Sequence, residues 1–188
     1  MLTERFERAL VFAARLHHDQ RRKGSGVPYV SHLLAVCALT LEYGGGEEEA
    51  IAALLHDAIE DQGGPVARAE ILHEFGERVT EIVDGCTDTD QSPKPAWRAR
   101  KEEYIRHVMD ASASVRLVSA CDKLHNARSL VMDYRVLGED LWSRFTGRRA
   151  GTLWYYRAMV NAFRAAGSSA VVEELDRVVT ELETLASA

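Results

Sequence analysis

Residues 52–61 place four ionisable side chains at the end of an otherwise apolar stretch. His56 and Asp57 follow a run of alanine and leucine, and Glu60 and Asp61 come directly after Ala58 and Ile59. In a helix, His56 would lie one turn from Glu60 and Asp57 one turn from Asp61, so all four would share one arc. An unpaired imidazole or carboxylate beside apolar surface costs on the order of several kcal/mol. The pattern therefore predicts a compensated polar arc, with a divalent metal as the partner. The alternative is a solvated polar face, which the alanine and leucine context disfavours.

Two further segments offer ligands for such a metal. His32 stands at the opening of an apolar helix, and Asp122 stands in a helix rich in valine, leucine, alanine and cysteine. Two histidines and two aspartates would leave positions open for water and substrate, as catalytic metal sites do. Taken alone, His32 equally fits a hydrogen-bonded core histidine, and Asp122 fits a helix cap or a buried ion-pair partner.

Several ordered motifs resemble the HD-domain hydrolases of the RelA/SpoT type. They are Arg22-Lys23, Pro28-Tyr29-x-x-His32, His56-Asp57-x-x-Glu60-Asp61, the stretch 74–87 and Asp122-Lys123-Leu124-His125-Asn126. The resemblance covers roughly three quarters of the chain. The chain is too short to include the synthetase and regulatory domains of the long enzymes, so it is most similar to the stand-alone small alarmone hydrolases. It implies a single HD-type phosphohydrolase domain over 1–188. It also implies removal of the 3′-pyrophosphate from guanosine tetraphosphate or pentaphosphate with one divalent metal, Mn²⁺ before Fe²⁺, Co²⁺ or Zn²⁺.

The same resemblance implies a role for each matching residue. The implied metal ligands are His32, His56, Asp57 and Asp122. Glu60 and Asp61 match an acidic pair that orients and deprotonates the attacking water, which agrees with the chemistry of a carboxylate beside a metal-acidified water. The implied nucleotide-binding residues are Arg22, Lys23 and Asn126. In the late segment 145–156, which lacks a clean match to the family, the candidates are Arg149 with Tyr155, or Tyr156 in its place. Without the resemblance, Arg22 and Lys23 would be an ordinary basic helix end.

The departures from the family pattern concern the substrate. Leu33, Gln62 and the loop 24–27 differ from the family beside the expected base pocket. Other substrates therefore stay open: the adenosine alarmone ppApp, a nucleoside monophosphate or the 2′-phosphate of NADPH. A module that senses a nucleotide without cleaving it also stays open, although retention of Glu60 and Asp61 argues against it.

Composition narrows the partners and the compartment. The formal net charge of -6 and dispersed basic residues do not favour a nucleic-acid polymer, whereas a small phosphorylated nucleotide fits. The sequence has no apolar run of about 20 residues that would span a membrane, and it begins with an amphipathic pattern rather than a secretory signal. Cys37, Cys86 and Cys121 lie among apolar or small residues and predict reduced, buried thiols. We expect a cytoplasmic protein, and no pattern indicates its oligomeric state.

Helical periodicity covers nearly the whole chain and predicts an all-α bundle of about eight to ten helices. The predicted helices span 3–21, 30–43, 47–61, 66–75, 77–84, 96–110, 112–132, 136–145, 150–166 and 169–186. The polar, proline-containing segment 87–101 is either a lid whose cations meet distal phosphates or a surface loop before a capped helix. Among the remaining histidines, His17 and His18 read as ordinary helix-end residues. His125 is expected to form hydrogen bonds beside the metal without touching it.

Overall fold

The computed structural model describes residues 1–89 and 93–187, and these residues are almost entirely helical. They form α1 (Glu4–Leu16), α2 (Val30–Glu42), α3 (Glu47–Leu55), α4 (Ala58–Gln62), α5 (Pro65–Cys86), α6 (Trp97–Asp110), α7 (Ala113–Leu137), a 3-10 helix (Gly138–Arg144), α8 (Arg148–Ala166) and α9 (Ala170–Ser187). Within this part of the chain, β pairing is confined to one bridge between Arg21 and Pro28. The predicted all-α bundle of eight to ten helices is confirmed.

Helix α7 is the centre of the bundle. It packs against α2, α3, α5, α8 and α9, while α8 also packs against α6 and α9. Helix α3 is buried on every side from Ala50 to Leu55, as expected of a short helix with no polar face after its acidic first turn. Fully burying each of its large side chains, Ile51, Leu54 and Leu55, stabilises the fold by about 1.5–3 kcal/mol. The apolar core thus fixes the helices that carry the predicted metal ligands.

The predicted single helix over 47–61 is wrong, because the chain breaks at the His-Asp pair. Helix α3 ends at Leu55 and α4 begins at Ala58. Asp57 adopts φ −100° and ψ 1°, the sparsely populated bridge region where many active-site residues lie. Helical spacing therefore located the right residues, but the junction between two helices positions them, rather than one continuous helical arc.

The first helix ends earlier than predicted. It stops at Leu16 instead of continuing to 21, and the chain turns through Gly24, whose φ is 85°, before returning to pair at Pro28. Late in the chain, α7 continues to Leu137 rather than stopping at 132, and the segment predicted as a helix over 136–145 is a 3-10 helix. The early end of α1 places residues 17–21, which were predicted to be helical, in the loop that also contains Arg22 and Lys23.

The predicted break between helices 66–75 and 77–84 is confirmed at Gly76. This residue lies inside α5 with φ 80° and ψ 174°, a conformation that is essentially restricted to glycine. None of the helices in the described ranges is long and apolar enough to cross a membrane. The three cysteines are buried and free of disulfides, as their setting in the sequence predicts.

Candidate metal centre

Four side chains from α2, the α3–α4 junction and α7 converge on one point. His32 Nε2 lies 3.2 Å from Asp122 Oδ1 and 3.6 Å from Asp57 Oδ2. His56 Nε2 lies 3.0 Å from Asp57 Oδ2 and 3.6 Å from Asp122 Oδ1. One ligand atom from each of His32, His56 and Asp57 falls within 4.8 Å of the others. The structure thus brings together the four residues that the sequence assigned to the metal.

The imidazole rings are oriented so that their Nε2 atoms face this point. His56 Nδ1 lies 2.8 Å from the carbonyl oxygen of Ala53, which only accepts, so Nδ1 carries a proton and Nε2 is the nitrogen that can offer a lone pair to a cation. His32 Nδ1 lies 2.7 Å from His125 Nδ1. Both Nε2 atoms are buried, and neither has a hydrogen-bond partner within the described ranges 1–89 and 93–187. Two aimed imidazole nitrogens beside two carboxylates are a donor set that suits a borderline divalent cation.

Charge within the centre is balanced by protonation in the absence of a cation. Burial opposes the charged form of His56, yet Asp57 and Asp122 raise its pKa well above the usual value. Burial likewise opposes ionisation of the two carboxyls, but His56 lowers the pKa of Asp57, and Lys123 with the two histidines lowers that of Asp122. A divalent cation would take the place of the proton that these groups otherwise hold.

Surrounding donors fix the two carboxylates. The Tyr29 hydroxyl donates to Asp57 Oδ2 at 2.5 Å, and Lys123 Nζ donates to Asp122 Oδ2 at 2.5 Å. Asn126 Nδ2 donates to Asp122 Oδ1, also at 2.5 Å. Such partners orient metal ligands and tune their basicity. Sequence reasoning did not assign Tyr29 or Lys123 to the site, although both stand inside the motifs that contain His32 and Asp122.

His125 lies where the sequence predicted it, beside the centre. Its contact with His32 Nδ1 is the second hydrogen bond that orients a ring of the centre. Burial, with the neighbouring His32 and Arg22, lowers the pKa of His125 to about 4, so the ring is neutral near pH 7. A neutral His125 therefore orients His32 without adding charge.

The acidic pair on α4 lines the cavity that opens from the centre. Glu60 Oε1 forms an ion pair with Lys94 Nζ at 2.8 Å, and its Oε2 accepts from the Asp88 backbone N–H at 3.4 Å. Asp61 Oδ2 accepts from Gln20 Nε2 at 2.8 Å. Burial and the nearby charge of Asp57 raise the pKa of Asp61. Each carboxylate is therefore held by a different part of the chain.

The cavity has a volume of about 640 Å³, which is in the range of small-molecule sites. Four of the five predicted nucleotide-binding residues line it: Arg22, Lys23, Asn126 and Tyr155. Arg22 Nη2 donates to Asn126 Oδ1 at 2.8 Å. Arg149 does not line it, because its guanidinium contacts the carbonyl of Ala186 and lies 3.8 Å from Glu139.

An adjoining cavity of about 270 Å³ shares its wall with the first. Its lining combines the aromatic rings of Trp97, Phe145, Tyr155 and Tyr156 with the cations of Lys23, Lys101 and Lys123. Lys101 Nζ lies 4.9 Å from the centre of the Tyr155 ring and 2.9 Å from Asp88 Oδ2. Lys101 and Lys123 are functional candidates that the sequence did not single out individually.

The predicted lid, 87–101, is described only at its two ends. Asp90, Gln91 and Ser92 lie outside the described residues. Before these three residues in the chain, Asp88 contacts Glu60 and also binds Lys101 and Arg100. After them, Lys94 contacts Glu60. Both described ends of the segment thus contact Glu60, and closure of the segment over the cavity stays a prediction.

Comparison with known proteins places these residues in a family. The profile of the HD domain matches residues 9–153. The chain is 39% identical over 122 residues to the guanosine-3′,5′-bis(diphosphate) 3′-pyrophosphohydrolase MESH1 of Xenopus tropicalis, covering 63% of this chain and 65% of that protein. It is 37% identical over 126 residues to a probable enzyme of the same name from Synechocystis, covering 65% of this chain and 16% of that protein. The chain therefore matches less than two thirds of the length of these two relatives.

A solved structure extends the similarity over the whole bundle. It is that of a metazoan orthologue of SpoT described as hydrolysing ppGpp. The two structures agree with a TM-score of 0.79 at 29% identity, over 95% of each chain. The aligned region thus includes the helices after 153, which the domain profile does not reach.

Proposed function

The chain belongs to the HD-domain family, and from that premise we propose that it is a metal-dependent hydrolase that removes the 3′-pyrophosphate from guanosine tetraphosphate or pentaphosphate. One observation carries the proposal: two histidines and two aspartates converge beside a cavity of about 640 Å³, namely His32, His56, Asp57 and Asp122. Among the described residues, the Nε2 atoms of the two histidines have no hydrogen-bond partner. The names of the Xenopus and Synechocystis relatives and the description of the metazoan structure support the choice of substrate.

The proposed role of each residue follows from the contacts of its side chain. His32, His56, Asp57 and Asp122 would hold the cation, which we propose to be Mn²⁺, with Fe²⁺, Co²⁺ or Zn²⁺ able to substitute. When bound, such a cation acidifies a water and polarises a phosphoryl oxygen. Glu60 and Asp61 orient the water and accept its proton, because both carboxylates line the same cavity on the α4 side of the centre.

Cations in the cavity walls account for recognition of phosphate. Arg22, Lys23, Lys101 and Lys123 line the cavity although the chain as a whole carries a net charge of -6. Guanidinium and ammonium groups bind phosphate by charge-assisted hydrogen bonds. We assign Asn126 and Tyr155 to the same pocket. We leave Arg149 out, because its existing contacts point it away from the cavity. A cavity of this size favours a small nucleotide over a nucleic-acid polymer or a membrane surface.

We propose further that residues 1–188 act as one HD-type domain in the cytoplasm. The packing of α9 against α7 supports a single domain, because α7 carries Asp122 and the last helix thereby shares the core of the metal centre. Three cysteines without a disulfide fit a reducing compartment.

Hydrolysis of guanosine tetraphosphate by the Mn²⁺-loaded protein tests the proposal. Products would be separated by anion exchange, with Asp57→Ala as the paired variant and ppApp, GMP and NADPH as competing substrates. We expect GDP and pyrophosphate from the wild type and neither from Asp57→Ala. Faster turnover of another nucleotide would identify that nucleotide, rather than the guanosine alarmone, as the substrate. Binding of guanosine tetraphosphate without any release by the metal-loaded wild type would indicate a sensing module instead.

A further inference from the structure

His17 is a buried histidine that the proposed chemistry does not use. It stands just after α1, the residue is 2% exposed, and its Nε2 has no hydrogen-bond partner among the residues that the structure describes. Its ring stacks on that of Tyr29, with centroids 5.5 Å apart and planes 18° from parallel. The Tyr29 hydroxyl in turn donates to Asp57. Tyr29 thus links His17 to one of the proposed metal ligands.

Gln20 joins His17 to the acidic pair. Its Oε1 lies 2.5 Å from His17 Nδ1 and 2.7 Å from Gln62 Nε2, and its Nε2 lies 2.8 Å from Asp61 Oδ2. A carboxylate only accepts hydrogen bonds, so the Gln20 atom that faces Asp61 has to be the amide nitrogen. The amide oxygen then faces His17, and His17 Nδ1 has to carry the proton. The contacts thus set both the orientation of one amide and the tautomer of one imidazole.

We propose that His17 and Gln20 are positioning residues that hold Asp61 in place as a proton acceptor. His17 fixes the amide of Gln20, and Gln20 presents its N–H to Asp61. Burial lowers the pKa of His17, so the ring stays neutral near pH 7 and keeps a single N–H for this purpose. The inference deepens the proposed function and rests on it for the role of Asp61.

Three variants and one control separate positioning from packing. Gln20→Leu removes the donor to Asp61, His17→Leu removes the donor to Gln20, and His17→Asn keeps an amide N–H near the position of Nδ1. The control is His18→Leu, since His18 is exposed and its hydrogen bond is to the neighbouring Asp19. With guanosine tetraphosphate, we expect Gln20→Leu and His17→Leu to lower kcat about tenfold, with KM and bound Mn²⁺ changed by less than about twofold. His17→Asn should recover most of the rate.

Two kinetic outcomes would overturn the proposal. The first is an unchanged kcat in Gln20→Leu, which is the less disruptive of the two leucine variants because Gln20 is only partly buried. The second is an equal loss in His17→Leu and His17→Asn, which would assign His17 to packing. Thermal unfolding of each variant identifies any loss that comes from a destabilised fold.

A measurement without substrate keeps this inference separate from the proposed function. The ¹⁵N chemical shifts of the His17 ring should report a proton on Nδ1 in the wild type and a changed Nδ1 environment in Gln20→Leu. A proton on Nε2, or shifts that are the same in both proteins, would contradict the network. If the wild type leaves guanosine tetraphosphate intact, the proposed function fails, while the ring shifts still decide whether the network exists.

Discussion

His32 and His56 present the same nitrogen to the centre because their other nitrogens already have partners. The backbone carbonyl of Ala53 occupies His56 Nδ1, and His125 occupies His32 Nδ1. The carboxylates are restrained in the same way by Tyr29 and Lys123. Preorganised ligands of this kind do not have to be reoriented when a cation binds. Removing one ligand should therefore weaken cation binding far more than removing a nearby carboxylate outside the centre.

Asp57→Ala and Glu60→Gln should therefore fail in different ways. Asp57 lies 3.0 Å from His56 Nε2, and its loss should abolish both bound Mn²⁺ and turnover. Glu60 is bound by Lys94, outside the ligand set, so Glu60→Gln should keep the metal and lose about 10²–10⁴ in kcat. Elemental analysis and steady-state kinetics on the two proteins check this. A Glu60→Gln enzyme with the wild-type rate would remove Glu60 from the mechanism.

Metal binding and pH should be coupled through the same residues. The pKa of His56 is raised in the metal-free fold, so its contribution to stability is complete below about pH 6.5 and is lost as pH rises through the folded pKa. The pKa values of Asp57 and Asp122 are lowered, so their contributions are present above about pH 4 and are lost in stronger acid. The stabilisation from these three groups together is therefore greatest between about pH 4 and 6.5.

The lowered pKa values of His17 and His125 act in the opposite direction, so the contribution of His56 has to be measured against a variant. We expect the metal-free wild type to exceed His56→Gln in free energy of unfolding by more at about pH 5.5 than at about pH 8, and Mn²⁺ to add more stability to the wild type at the higher pH. Denaturant unfolding with and without Mn²⁺ measures both effects. An equal gap between the two proteins at both pH values would contradict the raised pKa of His56. A wild-type protein that keeps all its Mn²⁺ at about pH 5 would argue against histidine ligands.

At the scale of the elements, the breaks between helices matter as much as the helices. The junction at His56 and Asp57 turns both side chains toward α2 and α7, and hydrophobic spacing alone did not reveal it because Ala58 and Ile59 continue the apolar pattern. The break at Gly76 was predictable, since glycine in a helical pattern indicates a change of backbone conformation. The end of α1 was not, because the basic residues 21–23 are also typical of the last turn of a helix, whereas α1 ends at Leu16.

Gly76→Ala should destabilise the fold without affecting the site. At φ 80° and ψ 174° a side chain is strained, and a Cβ atom at this position would meet no heavy atom within 4 Å. The cost should therefore be backbone strain alone, about 1–3 kcal/mol in the free energy of unfolding. Chemical denaturation of Gly76→Ala against Glu77→Ala, an exposed neighbour, measures it. Equal stability of the two variants would contradict the glycine-only conformation.

At the scale of the whole molecule, residues far apart in sequence form one cavity. The motifs around His32, His56 and Asp122 were recognisable separately, and their order indicated the family before any contact was known. The hydrogen bonds from Gln20 to Asp61 and from Lys94 to Glu60 were not predictable, because each joins a loop to α4 and the positions of the loops depend on the packing of the bundle. Arg149 illustrates the same limit, since its contacts with Ala186 and Glu139 depend on how α8 meets α9 and the 3-10 helix.

The central claim is that one divalent cation lies between His32, His56, Asp57 and Asp122, and its location can be measured directly. Anomalous diffraction from crystals of the Mn²⁺-loaded protein, recorded on both sides of the manganese edge, would locate the ion without reference to activity. We predict one strong peak about 2.0–2.3 Å from Nε2 of both histidines and from an oxygen of each aspartate. A peak elsewhere on the protein, or none at these four residues at full Mn²⁺ loading, would contradict the account.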